Sequence, residues 1–168
     1  MITGNRVEAE NPFRVIAEHQ KTAPVNVESL ARALGLKVYR ARLEDGVYGK
    51  LIRDSEHGGT SGYSIYVNTF DAPVRQRFTI AHEIAHFVLH RDLIDSEIVD
   101  RQMYRSNLGN VYETQANRLA ADILMPASLV RKEFQACRDA ASLARRFDVS
   151  AEAMEIRLQS LGLVSSHK

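Results

Sequence analysis

The chain has 168 residues, a net charge of +1 and a single cysteine. This length suits one domain, or one domain with a small helical appendage, and allows about 70 % of the unfolded surface to be buried. A lone cysteine excludes an internal disulfide bond, and the balanced charge gives no electrostatic case for nucleic acid or an anionic membrane as the main partner. Because the sequence has neither a signal-peptide-like apolar segment at its start nor a run of membrane-spanning length, we expect a cytoplasmic protein.

The first part of the chain, from about residue 11 to residue 42, predicts two helices followed by a strand. Pro24 separates the two helices because proline cannot continue the backbone hydrogen bonding of a helix. Gly35 is typical of a helix C-terminus, and the strand is expected over residues 36–40. The inward face of the second helix is expected to contain Leu30, Ala33 and Leu34.

Two further strands are predicted over residues 46–53 and 63–68, which are rich in Val, Ile and Tyr. The polar, glycine-rich residues 54–62 between them predict a loop. An extended peptide can bind to an exposed sheet edge through main-chain hydrogen bonds. Residues 64–68 are therefore a candidate substrate-binding edge, and an ordinary interior strand is the alternative.

The most informative motif lies in the next predicted helix, where residues 82–86 read His-Glu-Ile-Ala-His. A helix repeats about every 3.6 residues, so His82 and His86 lie one turn apart on one face, where both imidazoles can bind one divalent ion. Glu83 adjoins them and can take a proton from water that the metal activates, as amide hydrolysis requires. The alternative is a solvated helix without a metal. Residues 78–89 are nearly all apolar, however, and in a buried helix each unpaired polar group would cost about 2–7 kcal/mol.

A catalytic zinc site usually has three protein ligands, so one more is needed. One candidate is Asp92, six residues after the second histidine, although Leu89 stands where that arrangement uses glycine to turn the chain. The other is Glu113, in a second helix that Pro126 ends. Small residues would let this helix approach the first one closely, namely Ala116, Ala120 and Ala121. From spacing alone Glu113 is either the third ligand or a first-turn glutamate favoured by the helix dipole, and Asn117 could accept a hydrogen bond from a ligating histidine.

Three other side chains invite a functional interpretation. His90 lies about 12 Å along the helix from His82, too far to share its ion, so we expect a structural role at the helix C-terminus. Arg77 could bind a substrate carboxylate, but an ion pair within the fold is the commoner role of such a residue. Tyr104, in the polar segment between the two helices, is a candidate for stabilising an oxyanion.

Residues 141–158 match the pattern of a helix-turn-helix, with Ala144 at the close helix contact and Asp148 at the position of the usual turn glycine. A DNA-reading helix needs basic or polar groups that reach phosphates and base edges. The second helix of this pair instead carries Glu152 and Glu155 without a basic excess. We therefore expect a helical segment that does not bind DNA directly.

Two long motifs carry a family resemblance. Residues 77–90 read Arg-Phe-Thr-Ile-Ala-His-Glu-Ile-Ala-His-Phe-Val-Leu-His, and residues 113–126 read Glu-x-x-Ala-Asn-x-x-Ala-Ala-x-Ile-Leu-Met-Pro. Together they resemble the ImmA/IrrE family of bacterial zinc metallopeptidases, and the likeness covers roughly residues 25–163. The resemblance implies that the zinc ligands are His82, His86 and Glu113, and that Glu83 is the catalytic glutamate.

The resemblance also implies an α+β fold, in which a small zincin-like domain packs a short sheet on the two metal-binding helices. We expect a metallopeptidase domain over residues 11–126, and a C-terminal helix-turn-helix-like segment over residues 127–163 that packs on the core. The implied function is that of a Zn²⁺-dependent endopeptidase that cleaves an Xre-type, phage-like helix-turn-helix repressor, relieving repression in a stress response or when a mobile element is induced. The alternative is a toxin or regulatory partner of a toxin–antitoxin pair that binds an Xre-type antitoxin.

Overall fold

A three-stranded mixed sheet forms one layer of the fold in the computed structural model, which describes residues 10–94 and 107–165. The strands are β1 (Leu36–Ala41), β2 (Gly49–Arg53) and β3 (Tyr63–Asn68), in the order β1-β3-β2. β3 pairs parallel with β1 and antiparallel with β2. The prediction that residues 64–68 form a sheet edge is therefore wrong. Most side chains of β3 are buried, as in an interior strand that is covered on both faces, and β1 and β2 are the edge strands instead.

Seven helices complete the described part of the chain. They are α1 (Pro12–His19), α2 (Val27–Ala33), α3 (Pro73–Ile94), α4 (Asn107–Leu124), α5 (Ala127–Ala136), α6 (Ala140–Phe147) and α7 (Ala151–Ser160). With the sheet they make an α+β fold, as expected. α2 ends just before Gly35, whose positive φ of 80° stops the helix. Leu30 and Ala31 are buried, whereas Ala33 is exposed. The prediction that Ala33 belongs to the inward face of α2 is therefore wrong.

α3 and α4 form the central helix pair. α3 begins at Pro73, which suits a first-turn position because its missing N–H is not needed there. Small side chains from both helices are fully buried, namely Ala81, Ala85, Ala116 and Ala120. The backbones can therefore approach each other closely. α3 has 22 residues, yet no helix in residues 10–94 and 107–165 has both the length and the apolar character needed to cross a bilayer.

The C-terminal helices share the core of the sheet and the helix pair. Phe147, Met154 and Leu158 are fully buried in one cluster with Ile84 and Ile123. Between α6 and α7, Asp148 adopts a left-handed conformation, with φ of 53°. An Asp side chain tolerates this conformation better than most residues. The helix-turn-helix interpretation of this pair, and the domain boundary after residue 126, stay predictions.

Two arginines join the C-terminal helices to the helix pair. Arg77, near the start of α3, donates from Nε to the Asp148 carbonyl at 3.1 Å and lies 3.1 Å from the Asp148 carboxylate. Arg157, buried in α7, donates from Nε to the Met125 carbonyl at 2.9 Å and pairs with Asp122 at 2.8 Å. These charge-assisted bonds connect α7 to the end of α4, where a helix leaves its last carbonyls without helical partners.

We expect Arg157→Leu to lower the free energy of unfolding by about 1–3 kcal/mol, because it leaves the Met125 carbonyl without its buried donor. Urea denaturation followed by circular dichroism measures the change. Arg131→Leu is the matched control, because Arg131 is exposed on α5 and its replacement should change stability by no more than about 0.5 kcal/mol. Equal effects of the two substitutions would contradict the role given to Arg157.

Candidate metal centre

Three side chains from the central helix pair converge at one point. His82 and His86 lie on adjacent turns of α3, with their Nε2 atoms 3.1 Å apart. Glu113, from α4, places Oε2 3.1 Å from Nε2 of His82 and Oε1 3.0 Å from Nε2 of His86. One ligand atom from each of the three residues lies within 4.8 Å of the other two. The structure therefore brings together the three residues that the sequence predicts as ligands, and their assignment to a metal stays a prediction.

The spacing of these atoms fits a tetrahedral metal ion. Bonds of about 2.0–2.2 Å to zinc place neighbouring ligand atoms about 3.3–3.6 Å apart. The observed separations of 3.0–3.1 Å require only small side-chain adjustments to reach that geometry. Two imidazoles and one carboxylate suit zinc and also admit manganese. The residues present thus fit a divalent metal, and three donors leave one position of a tetrahedral ion for a further ligand.

The charges at this point favour a cation. Hydrogen bonds from His82 and His86 hold the pKa of the Glu113 carboxyl well below its usual range. Burial opposes protonation of His82, but the hydrogen bond to Glu113 and the nearby carboxylates of Glu83 and Glu113 outweigh it and raise the pKa of His82. A proton at Nε2 of His82 and a metal ion would therefore compete for the same atoms.

Glu83 lies beside the cluster but faces a different environment. Its side chain is buried, and this burial raises the pKa of its carboxyl, with the charge of Glu113 adding to the rise while His82 and His86 oppose it. A carboxylate with a raised pKa is a stronger base than an ordinary carboxylate and can accept a proton and return it. The site therefore contains one carboxylate suited to bind a cation and one suited to transfer a proton.

The free ring nitrogens of both histidines have hydrogen-bond partners. Nδ1 of His82 lies 2.9 Å from Oδ1 of Asn117, the contact expected for an acceptor that orients a ligating histidine. Nδ1 of His86 lies 3.0 Å from Nδ1 of His90. The role predicted for His90 at the helix C-terminus is wrong, because α3 continues to Ile94 and this buried side chain contacts His86. The position of His90, one helical turn beyond His86, was the feature of the sequence that indicated this contact.

The edge strand β2 forms one wall of the cleft at this cluster. A cavity of about 270 Å³ on one side is lined by β2 residues together with Glu83, His86 and Glu113. A second cavity, of about 620 Å³, reaches His82 and Asn117 from the other side. Gly49 begins β2 next to α3, and a Cβ atom there would lie 2.3 Å from Cγ2 of Thr79 and 3.3 Å from Oε1 of Glu83. The glycine thus lets the edge strand approach the site closely.

The remaining predicted side chains lie elsewhere. Asp92 is exposed and lies outside the cluster, because α3 runs straight through this position instead of turning back toward the histidines. Arg77 forms the ion pair with Asp148 and does not point to a substrate role. Tyr104 lies outside the described residues.

A family comparison matches most of the chain. The model of the IrrE N-terminal-like domain matches residues 31–159. The radiation response metalloprotease IrrE of Deinococcus deserti is 40 % identical over 112 residues, which are 64 % of this chain and 36 % of that protein. IrrE of Deinococcus radiodurans is 39 % identical over 95 residues, covering 53 % and 28 %. The chain therefore spans about a third of the length of these curated relatives.

A solved structure of a Mycobacterium tuberculosis transcriptional regulator shares the fold. The two structures align with a TM-score of 0.63 at 20 % sequence identity, over 88 % of this chain and 45 % of the regulator. At this level of identity the likeness concerns the fold alone.

We expect Asn117→Leu to raise the dissociation constant for zinc by about 10- to 100-fold, because it removes the acceptor that orients His82. Competition with a chromophoric chelator measures the constant. Asn117→Asp keeps an acceptor and should bind zinc at least as tightly as the unchanged protein. Thr114→Leu, at an exposed position of the same helix, should have no effect. Equal zinc affinities of Asn117→Leu and Thr114→Leu would contradict the role given to Asn117.

Proposed function

Because this chain belongs to the family of the IrrE N-terminal-like domain, we propose that it is a zinc-dependent endopeptidase that works at the His82, His86 and Glu113 cluster. The observation that carries the proposal is the meeting of three ligand atoms from two helices within 4.8 Å, beside the buried carboxylate of Glu83. Such a zincin-like arrangement supplies ligands, a proton carrier and an adjoining cleft in one place.

The side chains of the site have separate tasks in this proposal. Bound zinc supplies Lewis-acid activation of water and of the substrate carbonyl. His82, His86 and Glu113 hold the ion, and Asn117 keeps the His82 ring in the orientation that presents Nε2. Glu83 accepts the proton of the attacking water at its carboxylate and returns it to the nitrogen of the leaving amine. Its raised pKa suits both transfers.

The substrate in this proposal is an extended peptide bound along β2. An edge strand has one row of N–H and C=O groups free of partners within the sheet, and these can pair with a peptide backbone. Residues 49–52 line the cleft directly opposite Glu83, His86 and Glu113. Cavities on both sides of the cluster leave space for a chain that continues past the scissile bond, as cleavage within a polypeptide requires.

The proposed protein substrate is an Xre-type helix-turn-helix repressor, and its cleavage would relieve repression in a stress response. The names of the two Deinococcus relatives, radiation response metalloproteases, support a link between proteolysis and stress. In this proposal the protein works in the cytoplasm. Its α6–α7 pair is a helix-turn-helix-like segment that packs on the protein core. The acidic side chains Glu152 and Glu155 on α7 argue against DNA as its partner.

We expect Glu83→Gln to lower the cleavage rate by about 100- to 10,000-fold, because the amide cannot carry the proton. Zinc content and the circular dichroism spectrum should stay unchanged, since Glu83 is not a ligand in this assignment. The matched control is Glu155→Gln, an exposed glutamate on α7, which should cleave at the normal rate. Normal cleavage by Glu83→Gln would refute the assignment.

The substrate is tested by incubating the purified protein with a purified Xre-type helix-turn-helix repressor, with and without a chelator. Fragments that the chelator suppresses support the repressor-cleaving peptidase. A stable complex with an intact partner would overturn the proposal in favour of the toxin–antitoxin alternative. Retardation of DNA without cleavage would also overturn it.

A further inference from the structure

A third histidine extends the row of ligand histidines on α3. His90 follows His86 by one turn, is only 4 % exposed and is not part of the three-residue cluster. One of its ring nitrogens, Nδ1, lies 3.0 Å from Nδ1 of His86, and the other, Nε2, lies 2.9 Å from Oε1 of Gln115. Because Gln115 is exposed, this chain of contacts joins a buried candidate ligand to the surface.

With the amide oxygen of Gln115 facing His90, the hydrogen-bonding capacity of each group fixes the direction of this chain. The Gln115 oxygen can only accept a hydrogen bond, so Nε2 of His90 carries a proton and its N–H donates to that oxygen. Nδ1 of a neutral His90 ring is then bare and accepts the N–H from Nδ1 of His86. The lone pair of His86 is left on Nε2, where a metal held together with His82 and Glu113 would take it in place of the hydrogen bond to Glu113. Each donor in this arrangement has one acceptor.

The opposite direction would prevent metal binding. If the Gln115 amide group turned to present its NH₂, Nε2 of His90 would accept, and Nδ1 of His90 would donate to Nδ1 of His86. The proton of His86 would then lie on Nε2, between the two imidazoles that are 3.1 Å apart there. A protonated Nε2 cannot ligate a metal. The end of the side chain at position 115 that faces Nε2 of His90 therefore decides between a competent and an incompetent form of His86.

We propose that Gln115 is a positioning residue that sets the tautomer of His86 through His90. The inference rests on the metal site of the proposed function and assigns α4 a larger part in it. α4 then supplies the ligand Glu113 and the groups that orient both histidines, with Asn117 acting directly on His82 and Gln115 acting through His90. This relay requires only the side chains of the chain and the bound metal.

Zinc affinity of the full chain, measured by chelator competition, tests the relay without using activity. Gln115→Leu keeps the size of the side chain and removes the acceptor, so zinc binding should weaken by about 10-fold. Gln115→Glu keeps an acceptor and should bind as tightly as the unchanged protein or more tightly. Thr114→Glu adds the same charge at the neighbouring exposed position and measures how much of any gain is due to charge alone. Unweakened binding by Gln115→Leu would overturn the proposal.

A double-variant comparison separates the relay from packing. In His90→Asn the amide oxygen takes the place of Nδ1 and can accept directly from His86, so Gln115 is bypassed. Adding Gln115→Leu to this variant should change the zinc affinity by less than about 2-fold, compared with about 10-fold in the native background. A full loss in both backgrounds would show that Gln115 acts independently of His90 and would overturn the proposal.

Nuclear magnetic resonance gives a direct measurement on the unchanged sequence. Long-range ¹H–¹⁵N correlation spectra of the zinc-loaded protein should show protons on Nδ1 of His86 and on Nε2 of His90. A proton on Nδ1 of His90 would overturn the relay. Loss of zinc binding in His86→Ala tests the metal site separately from the relay. A native protein that binds no zinc would refute the proposed function. A native protein that binds zinc with an affinity unaffected by substitution of Gln115 would refute only the relay.

Discussion

The close contact between α3 and α4 is the constraint on which the candidate site depends. A glutamate side chain is short, and Glu113 must place its oxygens 3.0–3.1 Å from two imidazoles on the neighbouring helix. Alanines at positions 81, 85, 116 and 120 are fully buried, and such small side chains allow two helix axes to approach toward the lower end of the usual separation of about 8–10 Å. Larger side chains there would move the carboxylate out of reach. The site is thus a consequence of helix packing as much as of its ligands.

The polar groups of the site are arranged so that a cation balances them. Glu83 brings a buried carboxylate, where isolated charge is costly, next to the partly exposed carboxylate of Glu113. His82 and His86 face both carboxylates, and their outer nitrogens are taken up by Asn117 and His90. The ring nitrogens that remain all point toward the same place. A divalent ion there would offset the charge of both carboxylates and bind the lone pairs of both rings at once.

Local patterns in the sequence predicted the helices of the site and the three strands, but not the order of the strands in the sheet. The four-residue spacing of His82 and His86 fixes a shared face on any helix, and Pro126 marks the end of the next one, so both helices were predictable. Strand order depends on contacts between distant residues, and an apolar run such as β3 fits an edge or an interior position equally well, so its placement was wrong. The partner of His90 was missed for the same reason, because Gln115 has no periodic signal and becomes meaningful only once α4 lies against α3.

The C-terminal helices determine how firmly the helix pair is held. α3 and α4 run antiparallel, because His82 lies near Asn117 whereas His90 lies near Gln115 and Tyr112. The start of α3 therefore adjoins the end of α4, and Arg77 and Arg157 attach that common end to α6 and α7. The match to the IrrE N-terminal-like domain extends to residue 159, through α7 almost to its end. Since a shift of either helix would separate Glu113 from the histidines, residues 127–163 stabilise the geometry of the site although none of them lines the cluster.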